Sequence, residues 1–263
     1  GAFYKCCELK SIILPDSVTS IGDHAFSGCS ALTSINIPRA VTTIGLCAFS
    51  GSGLKTIVIP DAVVSVGSMA FSDCRGLESA VIPESVTCID NYLFRDCRKL
   101  KSITIPTSIT RINCHAFKNC VALTSVTIPD SVTFIESGAF ANCSFSSIKI
   151  PKSVESFGGN PFLNCENLEE IDFSENPNFV FSDGLVMDKE MTLIVFCCSS
   201  KAGDYAIPNT VSTIGPGAFY CCRQLTSIVI TDSVTEIGDK AFYKCRGLES
   251  VIIPDSVKKI GKK

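Results

Sequence analysis

One pattern of 22 or 23 residues returns along almost the whole chain: "SVTSIGDHAFSGCSALTSINIP" at 17–38 comes back as "SVTEIGDKAFYKCRGLESVIIP" at 233–254. Phenylalanine marks the period at 3, 26, 49, 71, 94, 117, 140, 162, 219 and 242, and only the 57-residue step from Phe162 to Phe219 departs from it. Such a period confines a chain to stacked-repeat architectures, because one unit cannot bury its own apolar face whereas neighbouring units bury each other's.

Each unit has the same slots. Three residues after the Phe stands a cysteine (Cys6, Cys29, Cys74, Cys97, Cys120, Cys143, Cys165, Cys222, Cys245), with Ser52 as the exception. A Leu and a β-rich run follow, as in "LTSINIP", where alternation turns Leu32, Ile35 and Ile37 inward and Ser34 and Asn36 outward. Pro38 ends that strand because it has no N–H for a ladder. "VTSIG" predicts a second short extended piece with Val18 and Ile21 inward, and "DHAFSGC" a tight helical or 3₁₀ corner. Glycine recurs four before the Phe (Gly22, Gly45, Gly67, Gly158, Gly215, Gly238, Gly261), which predicts a left-handed or crowded backbone there. Glu136 occupies the same slot and suits a left-handed position poorly. The two 22-residue units shorten one loop, at "SGL" 52–54 and "CSF" 143–145, which marks it as an outer turn.

The repeat A-F-x-x-C-x-x-L-x-x-I-x-I-P-x-S-V-x-x-I-G resembles the BspA-like, or treponemal-type, leucine-rich-repeat family over nearly the whole chain. The resemblance implies a mainly β solenoid over 1–263. This would be a right-handed stack of about eleven units with parallel strands ~4.8 Å apart, so roughly 50 Å long. The segment "NFVFSDGLVMDKEMTLIVF" resembles the hairpin-bearing variant repeat of that family, an insertion placed at 178–200. The resemblance also implies a secreted or cell-surface protein used in adhesion or protein recognition. Both ends cut the repeat at nearly the same phase without a polar cap, so the array is expected to continue beyond at least one of them.

The formal charge of −3 offers no basic footprint for nucleic acid, and no apolar run reaches the roughly 20 residues of a membrane span. Nine of the sixteen cysteines share one slot, where a thiol fills a turn and offers a weak hydrogen bond; this favours buried free thiols over a disulfide or two, and over a metal. The vicinal pairs Cys197/Cys198 and Cys221/Cys222 are expected to put one thiol inside and one outside. His24 and His115 sit four units apart, ~19 Å, too far to share a metal or a catalytic centre. Cys114 and His115 are expected to point apart. No residue is assigned a catalytic role, and no cofactor is called for. The acidic column Asp16, Asp61, Glu84, Asp130, Asp232 and Asp255 reads as β-turn chemistry, with the carboxylate bonding its local backbone. "NCS" at 142–144 fits a glycosylation sequon.

Two surfaces invite a partner. Arg75, Arg95, Arg98, Lys99, Lys101, Arg111 and Lys118 gather cations with few acids beyond Asp90 and Asp96, and a further basic stretch is Lys258, Lys259, Lys262 and Lys263. The other is the outward row of the Ile-x-Ile-Pro strands, whose candidate contacts are Asn36, Val58, Thr104, Thr127, Lys149, Glu170 and Asp172. The inward slots hardly vary while this row does, as a surface read by a protein ligand would. Relaxed solvent exposure gives the same variation. The expected function is therefore a non-enzymatic binding or adhesion module for a protein ligand such as a host extracellular-matrix or cell-surface protein. The alternative is a spacer array that presents another domain and has no ligand of its own.

Overall fold

The computed structural model describes residues 1–262, and Lys263 of the basic stretch lies outside them. The chain winds into a parallel-strand β-solenoid of about ten turns. Most turns contribute two short extended pieces that pair in register with like pieces of the next turn, but the pieces that carry Asn36 and Thr127 form no strand, so the ladder on that face is broken into separate sheets. In one sheet Val58 pairs with Val81 and Val81 with Thr104; further along Lys149 pairs with Asp172, and Ala206 with Val229 and Val229 with Ile252. In the other sheet the two-residue strands Ser20–Ile21, Thr43–Ile44 and Ser65–Val66 stack in the same way, as do Cys88–Ile89, Arg111–Ile112, Phe134–Ile135 and Ser156–Phe157.

The corners are not helical, contrary to the expectation from "DHAFSGC": among the described residues no residue is in a helix, and the corner is a run of hydrogen-bonded turns. The reason lies in two left-handed residues per corner, two before and two after the Phe, such as His24 (φ 56°) and Gly28 (φ 76°), or His115 (φ 58°) and Asn119 (φ 63°). A right-handed helix cannot run through residues of the opposite hand four apart. The glycine slot is accordingly not left-handed but crowded. A Cβ on Gly67 would stand 2.7 Å from the backbone of Gly45, and one on Gly238 would stand 2.5 Å from the Pro216 nitrogen. Glu136 fits its slot because its own φ is not left-handed.

The interior is built of ladders. From Phe3 to Phe162 the seven successive ring pairs lie 5.3–5.8 Å apart with planes within 13°, the offset stacking that aromatic quadrupoles favour. The cysteine slot forms a second ladder, in which a thiol donates to the Phe carbonyl of the preceding turn wherever that turn carries a Phe: Cys74 to Phe49 (3.1 Å), Cys97 to Phe71 (3.2 Å), Cys120 to Phe94 (3.2 Å) and Cys165 to Phe140 (3.1 Å). A third is made by the Ser of Pro-x-Ser-Val, as Ser108 donates to Val86 O and Ser131 to Ile109 O. The serine bonds satisfy carbonyls that no backbone N–H reaches, whereas each Phe carbonyl already accepts the N–H three residues on and takes the thiol as a second donor.

The long step between Phe162 and Phe219 holds three antiparallel-paired strands, Phe179–Ser182, Leu185–Asp188 and Leu193–Cys197, the last also pairing in parallel with Thr213–Ile214. This element divides the core. Val186 and Phe196 pack into the cluster that runs back to Ile21, while Leu185, Met187, Ile194 and Cys197 pack into the one that runs forward to Ala241. Cys197 stands where a ring should be: its N–H bonds Ala218 O (2.7 Å) just as the Phe26 N–H bonds Ala48 O. Both vicinal cysteine pairs are consequently buried entirely, since Cys197, Cys198, Cys221 and Cys222 face the two cores and the turn interior rather than alternating in and out.

Candidate functional site

The outward row is exposed along the stack, but only parts of it are laddered: Val58, Val81 and Thr104 stand on paired strands, as do Lys149 and Asp172, whereas Asn36 and Thr127 lie outside any strand. Asn36, Val58, Thr104, Thr127, Lys149 and Glu170 are exposed and Asp172 half-buried. Aliphatic side chains occupy its two ends, with Val58 and Val81 at 64% and 54% exposure and Val229 and Ile252 at 56% and 83%. Its charged middle is engaged within the chain. Lys149 Nζ lies 2.6 Å from Glu175 Oε1, which raises its pKa, and Asp172 Oδ1 accepts the Ser174 N–H at 2.8 Å, so the Ser174 donors hold that carboxyl below its ordinary value. Glu170 and the Thr and Asn members project to solvent on the same face.

The basic cluster does not form one patch. Asp73 pairs with Arg75 (3.5 Å), Glu78 with Lys101 (3.2 Å), and buried Asp96 with both Arg95 (3.0 Å) and Arg98 (3.5 Å). Arg111 sits on the other sheet, 4.4 Å over the Phe134 ring. Asp96 is one of the two acids named from the sequence, whereas Asp73 and Glu78, two residues and a whole turn from their cations, were not. Asp96 also anchors an amide ladder: it accepts from Asn119 (2.9 Å), whose Oδ1 accepts from Asn142 Nδ2 (2.6 Å). The sequon amide is thus half-buried and hydrogen-bonded to the neighbouring turn.

In the acidic column the carboxylates do not close their own turns. Backbone does so, with the Val18 N–H on Pro15 O (3.0 Å) and its equivalents in later turns. Glu84 instead reaches the following turn, accepting the Thr107 and Ser108 N–H groups at 3.2 and 2.9 Å. Cys114 and His115 also depart from expectation, since Cys114 Sγ lies 2.8 Å from His115 Nδ1. The left-handed His115 swings its ring back over its neighbour, where an extended residue would turn it away. Burial, then Glu136, pushes the Cys114 thiol up, while burial and Lys118 push His115 down. Both effects favour the neutral pair over the thiolate–imidazolium pair of a nucleophilic cysteine. All sixteen cysteines are free thiols, and among the described residues no group of three His, Cys, Asp or Glu is arranged to hold a metal ion. Nor, among these residues, is any helix long and apolar enough to cross a membrane.

With the slots, ladders and strand register in place, the match to known proteins is direct: the BspA type leucine rich repeat region fits this sequence in six copies, over residues 1–122, 87–185 and 189–263. The chain belongs to the BspA-type leucine-rich-repeat family. Its fold is similar to a leucine-rich repeat protein from Bacteroides ovatus (30% identity, TM-score 0.70, covering 99% of this chain and 70% of that one). It is also similar to a leucine rich cell surface protein from Faecalibacterium prausnitzii (32% identity, TM-score 0.74, 96% and 72%). The pneumococcal vaccine antigen PcpA, at 24% identity and TM-score 0.61 over 96% of this chain and 67% of that one, shares the fold. No curated protein sequence matches this one. Like these relatives, the BspA-type chain has the repeat stack of a family whose members include cell-surface proteins.

One group of surface residues escaped the sequence reading. Tyr and cation pairs line the corners, with Arg95 over Tyr92 at 5.7 Å, Lys244 over Tyr243 at 5.3 Å, and Tyr220 and Tyr243 5.4 Å apart. Their signal was positional: each Tyr lies one after or two before a Phe, a slot whose corner geometry turns it to the surface.

Proposed function

We propose that this chain is a non-enzymatic recognition module of a cell-surface or secreted protein, and that it engages a protein ligand through the outward strand row. The observation that supports the reading is the register. Val58, Val81 and Thr104 stand on consecutive paired strands, giving a flat surface of side chains ~4.8 Å apart that the fold itself does not need. The self-paired charges Lys149 and Asp172, and the lack of Tyr, Trp or Arg in the row, favour a dispersed contact of modest affinity. They equally favour the spacer reading, which has no ligand. The test is binding of the folded chain to immobilised purified extracellular-matrix proteins, beside a variant changed at Asn36, Thr104, Thr127 and Lys149. Retention of a partner by the parent and its loss in the folded variant supports recognition through this face. Retention by neither puts the spacer reading ahead.

A further inference from the structure

The periodic corner fails at one place, and a cleft results. In regular turns five residues separate the inward Ile from the Phe, as from Ile214 to Phe219; in the hairpin-bearing turn Ile194 pairs with Ile214, yet Cys197 already occupies the Phe position three residues on. The corner is therefore two residues shorter, and the residue that elsewhere stands two before the Phe has no counterpart between Asn160 and Gly217. Asn160 spans part of the gap, donating from Nδ2 to Cys197 O (2.9 Å) and accepting the Phe162 N–H on Oδ1 (2.8 Å). What remains is a cleft of about 400 Å³, lined from one side by His115, Asn160 and Leu163 and from the other by Tyr220, Asp239 and Lys240.

We propose that this cleft binds a pyranose ring of a glycan. A pyranose presents an apolar C–H face and an edge of hydroxyls that each donate and accept. The cleft offers the matching halves: Leu163 and the Tyr220 ring as an apolar wall, and Asp239, Lys240 and Ser137 as polar groups on its rim. The rim carries one carboxylate, Asp239, whose Oδ1 also accepts the Lys262 N–H (2.7 Å), and one ammonium, Lys240; their formal charges cancel and burial pushes His115 toward its neutral form, so the lining suits a neutral polar ligand better than an ion. The walls are backbone where close approach is needed. Gly159 and Gly217 lie along the cleft with φ of 137° and 62°, and Gly138 lets the His115 ring lie flat, since a Cβ there would come within 2.9 Å of it. Tyr220 is steadied by Tyr243 behind it. The volume falls within the range of about 300–1,000 Å³ typical of small-ligand clefts and accommodates one or two sugar rings. The site is independent of the strand row, and so does not rest on the protein-binding reading.

The experiment is saturation-transfer NMR on the full chain with methyl glycosides of neutral hexoses, N-acetylhexosamines and hexuronates, followed by titration of the strongest probe. The expected result is transfer to at least one class, with affinity weakened tenfold or more in Tyr220→Ala and several-fold in Lys240→Ala, and unchanged in Lys55→Ala, an exposed residue outside the cleft. Lys240 exposes its side chain, so its variant remains informative if loss of Tyr220 perturbs folding. The proposal is overturned by absence of transfer to every probe, or by equal affinity in the parent and a folded Lys240→Ala or Tyr220→Ala variant.

Discussion

The cysteine ladder makes the stack sensitive to alkali. Burial is the leading cause that raises the thiols, from an ordinary 9.0 to about 11 at Cys74 and to about 12 at Cys165 and Cys198. Cys97, Cys120 and Cys143 are raised by burial as well, and Cys197 first by its contact with Cys222 and then by burial. A group whose folded pKa lies above its unfolded one holds more protons when folded, so its contribution is complete below the unfolded value and is lost as pH rises from 9.0 toward the folded value. Between pH 9 and 10 that loss is about 1 kcal/mol per thiol, or about 7 kcal/mol for the seven together, against a typical total stability of about 5–15 kcal/mol. Urea midpoints measured at pH 7.5, 9 and 10 under a phosphine reductant should fall steeply over the last step. A variant with Cys97, Cys120 and Cys143 all changed to Ala starts from a lower midpoint but should lose about 3 kcal/mol less over that step. Midpoints level from pH 7.5 to 10, or equal slopes in parent and variant, would refute the argument that these thiols are held neutral by the stack.

Phe117→Ala removes a fully buried ring from between Phe94 and Phe140 and should cost about 3–5 kcal/mol, read from the thermal or urea midpoint. Gly238→Ala sets a methyl against the Pro216 nitrogen, whereas Gly22→Ala meets nothing within 4 Å; the first should destabilise by at least ~1 kcal/mol and the second by less than ~0.5 kcal/mol, and equal midpoints would show that the slot is not crowded. Ser131→Ala strips the 2.7 Å bond from the Ile109 carbonyl and should cost about 1 kcal/mol, visible as faster amide exchange in that pair of turns.

The architecture was legible in the sequence because each inward slot answers to one physical demand. Phe, Cys, Leu and Ile recur at 22 or 23 residues since every turn packs against a copy of itself, and Pro closes most of the strands since it cannot extend a ladder, with Ser174 and Thr231 in its place in two turns. The outward character of Asn36, Thr104 and Lys149 followed from the same alternation, and the weak hydrogen bond offered by the thiol slot followed from its repetition. Contacts between turns were less accessible. Asp96 finds Arg95 and Arg98 beside it but Asn119 a full turn away, and the Ser131 hydroxyl reaches back 22 residues to Ile109, so local turn chemistry was the wrong frame for these polar groups.

Sequence alone determined that this chain is a stack of repeats, that Phe26 through Phe162 line its interior and that the outward row faces water, because a fixed period makes every turn bury its apolar slots against a copy of itself; the likeness of the repeat then pointed to the BspA type. Only the tertiary structure decided the hand of the backbone at His24 and Asn119, the crowding at Gly238, the approach of Cys114 to His115 and the cleft between Asn160 and Gly217. Each of these depends on how far one turn lies from the next and which way a corner bends, and a repeat pattern counts residues without measuring either.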